Sequence, residues 1–358
     1  MTLGFDAPLP PARTGVADYA AVLLAELRRR ASVVLRGERA DRWLYHIGNN
    51  KEHHAAIYRR ALARPGVVVL HDAVLMHLQL SMAADENAFA EEFVYNYGGW
   101  HEDFARRLWR ERGRSGADAE YFRWPMLKRL AESAEALIVH NPGAAERVRQ
   151  HAPRARVVEI PHLAFDADAR AERIGELRRR WRAGMSTYVF GVFGHLRESK
   201  RLLPILRTFA VVGDARLVLA GPAQSEALER ALEPLCGENV CRMPALSDED
   251  LRAAIAAIDA GLCLRWPSAG ETSGMSIRMM AAAKPVLMTR TPETDPFLEG
   301  ACIKIEPGPM EEPHLRETME WMLWDPGATR RIGSLAREHI RREHAPGRVA
   351  ERYLEVLQ

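Results

Sequence analysis

Short apolar runs alternate with amphipathic helical patterns along nearly the whole chain, and the alternation occurs twice. An apolar run flanked by helices has no polar face to offer water. It fits a strand buried on both sides, in a parallel sheet whose crossover helices cover both faces. In the first half the runs are TLGFDAP, WLYHIG, GVVVLHD, EALIVHN and RVVEIP. Between them, GVADYAAVLLAELRRR and HHAAIYRRALAR place apolar residues three and four apart, the helical spacing. The stretch from Ala73 to Glu132 carries no strand signal, is rich in aromatics and arginine, and reads as helices. The second half runs TYVFGVFG, a helix from about Arg201, ARLVLAGP, QSEALERALEPL, VCRMP, SDEDLRAAIAAIDA, GLCLRW, PVLMT and CIKIE, then terminal helices. Ser247 and Asp250 have the spacing of a helix-capping pair.

The fold class expected is therefore α/β, with two Rossmann-like doubly wound domains, and 358 residues are enough for two cores. The charged stretch Ala164–Ser186, with a single helical pattern, is expected to be the linker. It divides the chain into domains at 1–163 and 164–344, with a last helix at 345–358 returning to the first domain. Ligands of such sheets bind outside the carboxyl ends of the strands, so two facing domains would form a cleft there.

Composition narrows the function classes. Hydrophobic content of 47% and charged content of 27% describe a globular chain. A net charge of +2 is too small to drive counterion release on nucleic acid, so no nucleic-acid partner is expected. Cys236, Cys241, Cys263 and Cys302 form no CxxC pair or metal spacing, which fits buried thiols in a reduced, cytoplasmic chain. There is no apolar run of membrane-spanning length and no secretory signal pattern, so the expected location is cytoplasmic.

Candidate site residues lie in loops after the predicted strands. Gly15 stands between the first strand and its helix, where free amides can meet an anion; a Pro/Gly turn for chain reversal explains it equally. His71 and Asp72 follow GVVVL, where an imidazole can donate to a substrate oxygen, or simply bond a neighbouring carbonyl. Asn141-Pro142 is explained by helix capping alone. His195, Arg197, Lys200 and Arg201 cluster before a helix N-terminus, which repels cations, so an anion is expected opposite them unless they form a solvated face. SAGETSGMSIRMM then sets the amides of Ser273, Gly274, Met275 and Ser276 at a helix start beside small residues, a diphosphate cradle that Lys200 or Arg197 could complete. Glu271 would repel phosphate and suits sugar hydroxyls better, or acts as an ordinary carboxylate near a helix start.

The set of segments PLPPARTGVADYAAVLL, YHIGNN with GVVVLHD, ALIVHNPGAAERV, VFGHLRESKR, LVLAGP, PSAGETSGMSIRMMAAAKPVL and AERYLEVL, in this order, resembles glycosyltransferase family 4. These are retaining, nucleotide-sugar-dependent enzymes of the GT-B fold. The resemblance covers nearly the whole chain and implies a nucleotide diphosphate sugar donor bound mainly by the C-terminal domain. The acceptor, a hydroxyl of a glycan, a lipid-linked molecule or a small molecule, would be held mainly by the N-terminal one. No metal or other cofactor is implied. By position, Lys200 would contact the diphosphate, Ser273 to Ser276 the phosphates through their amides, and Glu271 the sugar hydroxyls. Gly15 would lie beside the diphosphate, His71 beside the transferred sugar, and Val240–Leu246, with Met243 and Leu246, along the nucleobase. Two positions depart from the family: His195 stands in place of an arginine, with Arg197 near enough to supply that charge, and Arg278 and Met279 occupy the place of a second glutamate. These departures keep two further readings open, a catalytically weak nucleotide-sugar binder and a nucleotide-sugar epimerase. His101–Arg114 has apolar residues and arginines at helical spacing; it reads as a membrane-docking helix or as an ordinary helix covering a core.

Overall fold

The structure, a computed structural model, describes residues 1–36 and 39–358 and divides into two units. The first comprises Met1–Leu163, Pro267–Thr272 and His344–Gln358; the second comprises Ala164–Trp266 and Ser273–Glu343.

The strands of the first unit are β1 (Thr2–Asp6), β2 (Ser32–Leu35), β3 (Arg42–Ile47), β4 (Val67–Leu70), β5 (Ala136–Val139) and β6 (Val157–Glu159). They form one parallel sheet in the order β2-β1-β3-β4-β5-β6. The winding reverses at β1, because the chain returns to β2 on one side and to β3 on the other. β2 is absent from the sequence reading; its residues SVVL are only partly buried at the sheet edge, so the apolar run is short. Alternation along β3 sends Trp43, Tyr45 and Ile47 to one face, where they pack with Val68, Leu70 and Val139. Leu44 and His46 point the other way. There Tyr19, from the helix Gly15–Arg28, and Tyr353, from the helix Pro346–Leu357, are fully buried and share a hydroxyl–hydroxyl bond of 2.8 Å.

Residues 73–132 are helical and build an aromatic satellite core around Phe89, Phe93 and Tyr121. The helix Glu102–Arg110 turns Ala105 and Leu108 into that core. On its outer side Arg106 pairs with Glu102 at 2.8 Å and Arg110 with Glu86 at 2.7 Å. Among the described residues, no helix is long and apolar enough to cross a membrane.

The strands of the second unit are β7 (Tyr188–Phe193), β8 (Ala215–Ala220), β9 (Val240–Met243), β10 (Ala260–Cys263), β11 (Val286–Thr289) and β12 (Ile303–Ile305). They form a parallel sheet in the order β12-β11-β10-β7-β8-β9. Here the reversal falls between the neighbours β7 and β10, since β7 leads outward to β8 and β10 outward to β11. The stretch Ala164–Ser186, expected as a linker, is instead largely structural. Its helix Ala171–Arg180 buries Leu177, and the following Trp181 is buried with it in the second unit's core. Arg178 fastens this helix by donating to the carbonyls of Ala257 (2.8 Å) and Thr187 (2.6 Å). The one helical pattern of the stretch is this helix, and its charge, read as a linker signal, is the solvent side of a packed helix.

Candidate functional site

In a doubly wound sheet, the loops leaving the two strands at the reversal diverge and open a crevice at their carboxyl ends. In the second unit these are the loops after β7 and β10. Gly194 directly follows β7 with φ +80°, a conformation that favours glycine. A Cβ placed there would lie 3.4 Å from Lys200 Nζ and 3.7 Å from Met275 Cε. The ammonium of Lys200 and the Cε methyl of Met275, the second residue of the helix Gly274–Ala281, therefore both lie against the bare backbone of Gly194. Lys200 Nζ donates to the carbonyl of Phe193 at 2.6 Å. Burial of the ammonium, reinforced by the positive charges of Arg265 and Arg197, pushes its pKa down to about 7. A cation so close to losing its proton gains most from an incoming anion.

The helix start completes this arrangement. Ser273 is its N-cap: its hydroxyl accepts from the amide of Ser276 at 3.2 Å and donates to Cys263 Sγ at 3.9 Å. The Ser276 amide is thus engaged, while the amides of Gly274 and Met275 precede the first intrahelical bond and point out of the helix start. Arg201, expected to face a bound anion, is consumed within the protein. Its Nε donates to both carboxylate oxygens of the buried Glu311, at 2.8 and 3.1 Å. His195 and Arg197 are exposed on the loop after β7. Met243 is buried in β9, where its Sδ accepts from Trp181 Nε1 at 3.0 Å, and Leu246 is partly buried against the same core.

The first unit gathers the remaining candidates. His71 follows β4 and is buried, with its Nε2 3.0 Å from Nδ1 of His46 rather than on a carbonyl. Asp72 accepts from the amide of Asn49 at 2.8 Å, and Asn49 in turn accepts from the amide of Leu78 at 2.8 Å, so the loops after β3 and β4 hold each other. The segment Pro267–Thr272 packs on the second of these loops: the amide of Val74 donates to the carbonyl of Ala269 at 3.0 Å. Gly270, at φ +84°, leaves no room for a side chain, because a Cβ would come within 2.7 Å of Ala73 Cβ. Asn141, besides capping its helix, donates to the carbonyl of Gly270 (3.1 Å) and to Thr272 (2.9 Å). The loops carrying His71 and Glu271 are thereby brought together. One carboxylate oxygen of Glu271 accepts from the amide of Ala269 at 2.8 Å and from the hydroxyl of Ser268 at 3.3 Å. Gly15 is the exposed first residue of its helix, and a Cβ there would meet no protein atom within 4 Å.

Tyr19 is the hub of a buried imidazole cluster, with its ring 5.0 Å from that of His71, 5.1 Å from His140 and 4.6 Å from His162. Burial holds His46 and His71 well below the usual imidazole range and His140 down to about 4, so these three are neutral near pH 7. Among the described residues, no group of three or more His, Cys, Asp or Glu side chains is arranged to hold a metal ion. Sequence reasoning missed Gly194, Arg265 and His46. Each leaves a trace: Gly194 and Arg265 are early residues after apolar strands, and His46 is a polar residue inside an apolar one.

No family model matches the chain, and no curated protein matches its sequence. Solved structures do match along its whole length. HepE of Anabaena, in complex with UDP-glucose, is 16% identical over 99% of this chain and 98% of its own, with a TM-score of 0.65. Sucrose-phosphate synthase of Thermosynechococcus elongatus is 12% identical over 99% and 98%, with a TM-score of 0.69. WaaG, a glycosyltransferase involved in lipopolysaccharide biosynthesis, is 13% identical over all of both chains, with a TM-score of 0.62. At such identities the likeness shows the fold, which is α/β with two Rossmann-like units, of the GT-B class.

Proposed function

We propose that the chain is a retaining glycosyltransferase of the family 4 type that transfers a sugar from a nucleotide diphosphate sugar to an acceptor hydroxyl, without a metal. The observation that carries this reading is that Lys200 Nζ and the side chain of Met275, from the first turn of the helix Gly274–Ala281, both lie against Gly194, at the strand reversal of the second unit. The shared fold supports it, since HepE, of the same fold, is solved with UDP-glucose. Cleaving a sugar from a diphosphate leaves growing negative charge on the departing oxygen. A fixed ammonium and outward-pointing amides stabilise that charge without reorganising during the reaction. Lys200 and the amides of Gly274 and Met275 serve the diphosphate, with Arg197 and His195 at the edge of the same loop. His71 and Glu271 address the sugar, whose hydroxyls can both donate to a carboxylate and accept from an imidazole. Gly15 leaves open backbone at a helix start for the phosphates, and the Val240–Leu246 segment borders the nucleobase.

The test is release of nucleoside diphosphate from UDP-, GDP- and dTDP-sugars, with water or added glycans as acceptors. One donor is expected to support release, and Lys200→Met to lower its rate by roughly 10²- to 10³-fold, as loss of one preorganised donor does. Glu271→Gln is expected to lower it by a similar factor. Binding without release of any donor, or parental rates in both variants, would contradict the reading.

A further inference from the structure

We infer that His46 is a positioning residue that donates from Nδ1 to Nε2 of His71, fixing His71 as the tautomer with its proton on Nδ1. The two nitrogens are 3.0 Å apart, both side chains are buried, and the rings meet edge to edge with their planes within 25° and centroids 5.2 Å apart. One proton lies between two neutral imidazoles, which leaves two assignments. If His71 were the donor, the remaining proton of His46 would sit on its Nε2. That nitrogen is buried and has no hydrogen-bond partner, so it would be an orphaned N–H. If His46 is the donor, the same nitrogen is only an unfilled lone pair. Buried orphaned donors are rarer in proteins than unfilled acceptors.

The neighbouring imidazoles show that this unit tolerates a bare buried Nε2. His140 Nδ1 lies 3.0 Å from the carbonyl of Ile160. A carbonyl can only accept, so the proton of neutral His140 is on Nδ1, and its buried Nε2 likewise has no partner. The same logic places the proton on Nδ1 in His54, bonded to the carbonyl of His46 at 3.1 Å, and in His162, bonded to that of Leu163 at 2.7 Å. His344 follows the pattern through its Nδ1 and the carbonyl of His162. His77, at the edge of this region, is the contrast: its Nε2 donates to the carbonyl of Ser115 at 3.0 Å, and its Nδ1 faces the Asn49 amide at 3.2 Å.

The consequence for chemistry rests on the proposal above that His71 addresses the donor sugar. With Nε2 occupied as an acceptor, His71 has no free lone pair with which to remove a proton from a substrate. It offers one N–H, from Nδ1, and so recognises an oxygen as acceptor. His46 acts on the sugar only through that constraint.

The full-length protein labelled with ¹⁵N in histidine tests this by long-range ¹H–¹⁵N correlation, with assignments from the His46 and His71 variants. The expected spectrum shows both residues protonated at Nδ1 and unprotonated at Nε2; a protonated Nε2 on His71 would overturn the inference. His46→Met, which removes the donor, is expected to move His71 toward the Nε2–H form preferred in water. It should also lower kcat about tenfold with little change in donor KM. His46→Asn, which retains an N–H near the position of Nδ1, is expected to keep the His71 pattern and restore kcat to within about threefold of the parent. Should His46→Met fail to fold, the parental spectrum and His46→Asn still decide. Unchanged transfer in His71→Ala, together with the expected parental spectrum, would overturn the role of His71 toward the sugar and leave the tautomer assignment standing.

Discussion

The two units wind their sheets by the same rule, yet place opposite chemistry at the carboxyl ends of their strands. The first holds ten of the thirteen histidines and buries His46, His54, His71, His140, His162 and His344; burial keeps His46, His54, His71 and His140 neutral near pH 7. The second holds three histidines and carries, at its reversal point, a lysine ammonium bonded to the carbonyl of Phe193, its pKa lowered by burial. A shared topology therefore fixes where a site can be, while a few strand-end residues decide which charges it presents. The first unit presents hydrogen-bond donors of fixed tautomer. The second presents a cation whose charge an anion can restore.

The contrast predicts first that the units respond differently to acid. His54 and His140 titrate near 4 in the folded protein, below the ordinary value of about 6.5. Between these values the unfolded chain binds protons that the native state excludes, so stability falls as pH falls through that window. Each fully buried histidine of this kind contributes a loss of up to about 3 kcal/mol by pH 4. Hydrogen exchange, corrected for intrinsic rates, is expected to show β3, β4 and β5 losing protection between pH 6.5 and 4 before β7, β8 and β10 do. Simultaneous loss in both units would break the comparison.

The second unit's response lies on the alkaline side. With the ligand-free pKa of Lys200 at about 7 and a higher value opposite phosphate, binding takes up a proton above neutrality. Affinity for a nucleoside diphosphate should fall by up to about tenfold per pH unit above 7, and Lys200→Met should flatten that slope. A pH-independent affinity between 7 and 8.5 would show that the ammonium does not face the phosphates.

Much of this was legible in the sequence. Strands such as GVVVL, EALIV and YVFGVF carry uninterrupted apolar runs because both faces are buried, and the helix at Gly274 announces itself through Ser273 and the glycines around it. The edge strand SVVL was not legible, since partial exposure leaves its pattern weak. The helix Ala171–Arg180 was legible as a pattern, but its place in the second core was not, since Leu177 and Trp181 stand among many arginines. Arg201 was counted among the cations expected to face an anion because its partner, Glu311, is 110 residues away in the chain, and only the fold brings the two together. The imidazole cluster was hidden for the same reason, its members being scattered from His46 to His344.

Calorimetric titration of UDP, GDP and dTDP into the parental protein and into Lys200→Met at pH 7 most directly probes whether the loop after β7 and the helix start at Gly274 hold a diphosphate. At least one nucleotide is expected to bind the parent and to lose tenfold or more in affinity in the variant, with the proton uptake on binding abolished. Equal affinity and equal proton uptake in the two proteins would contradict it.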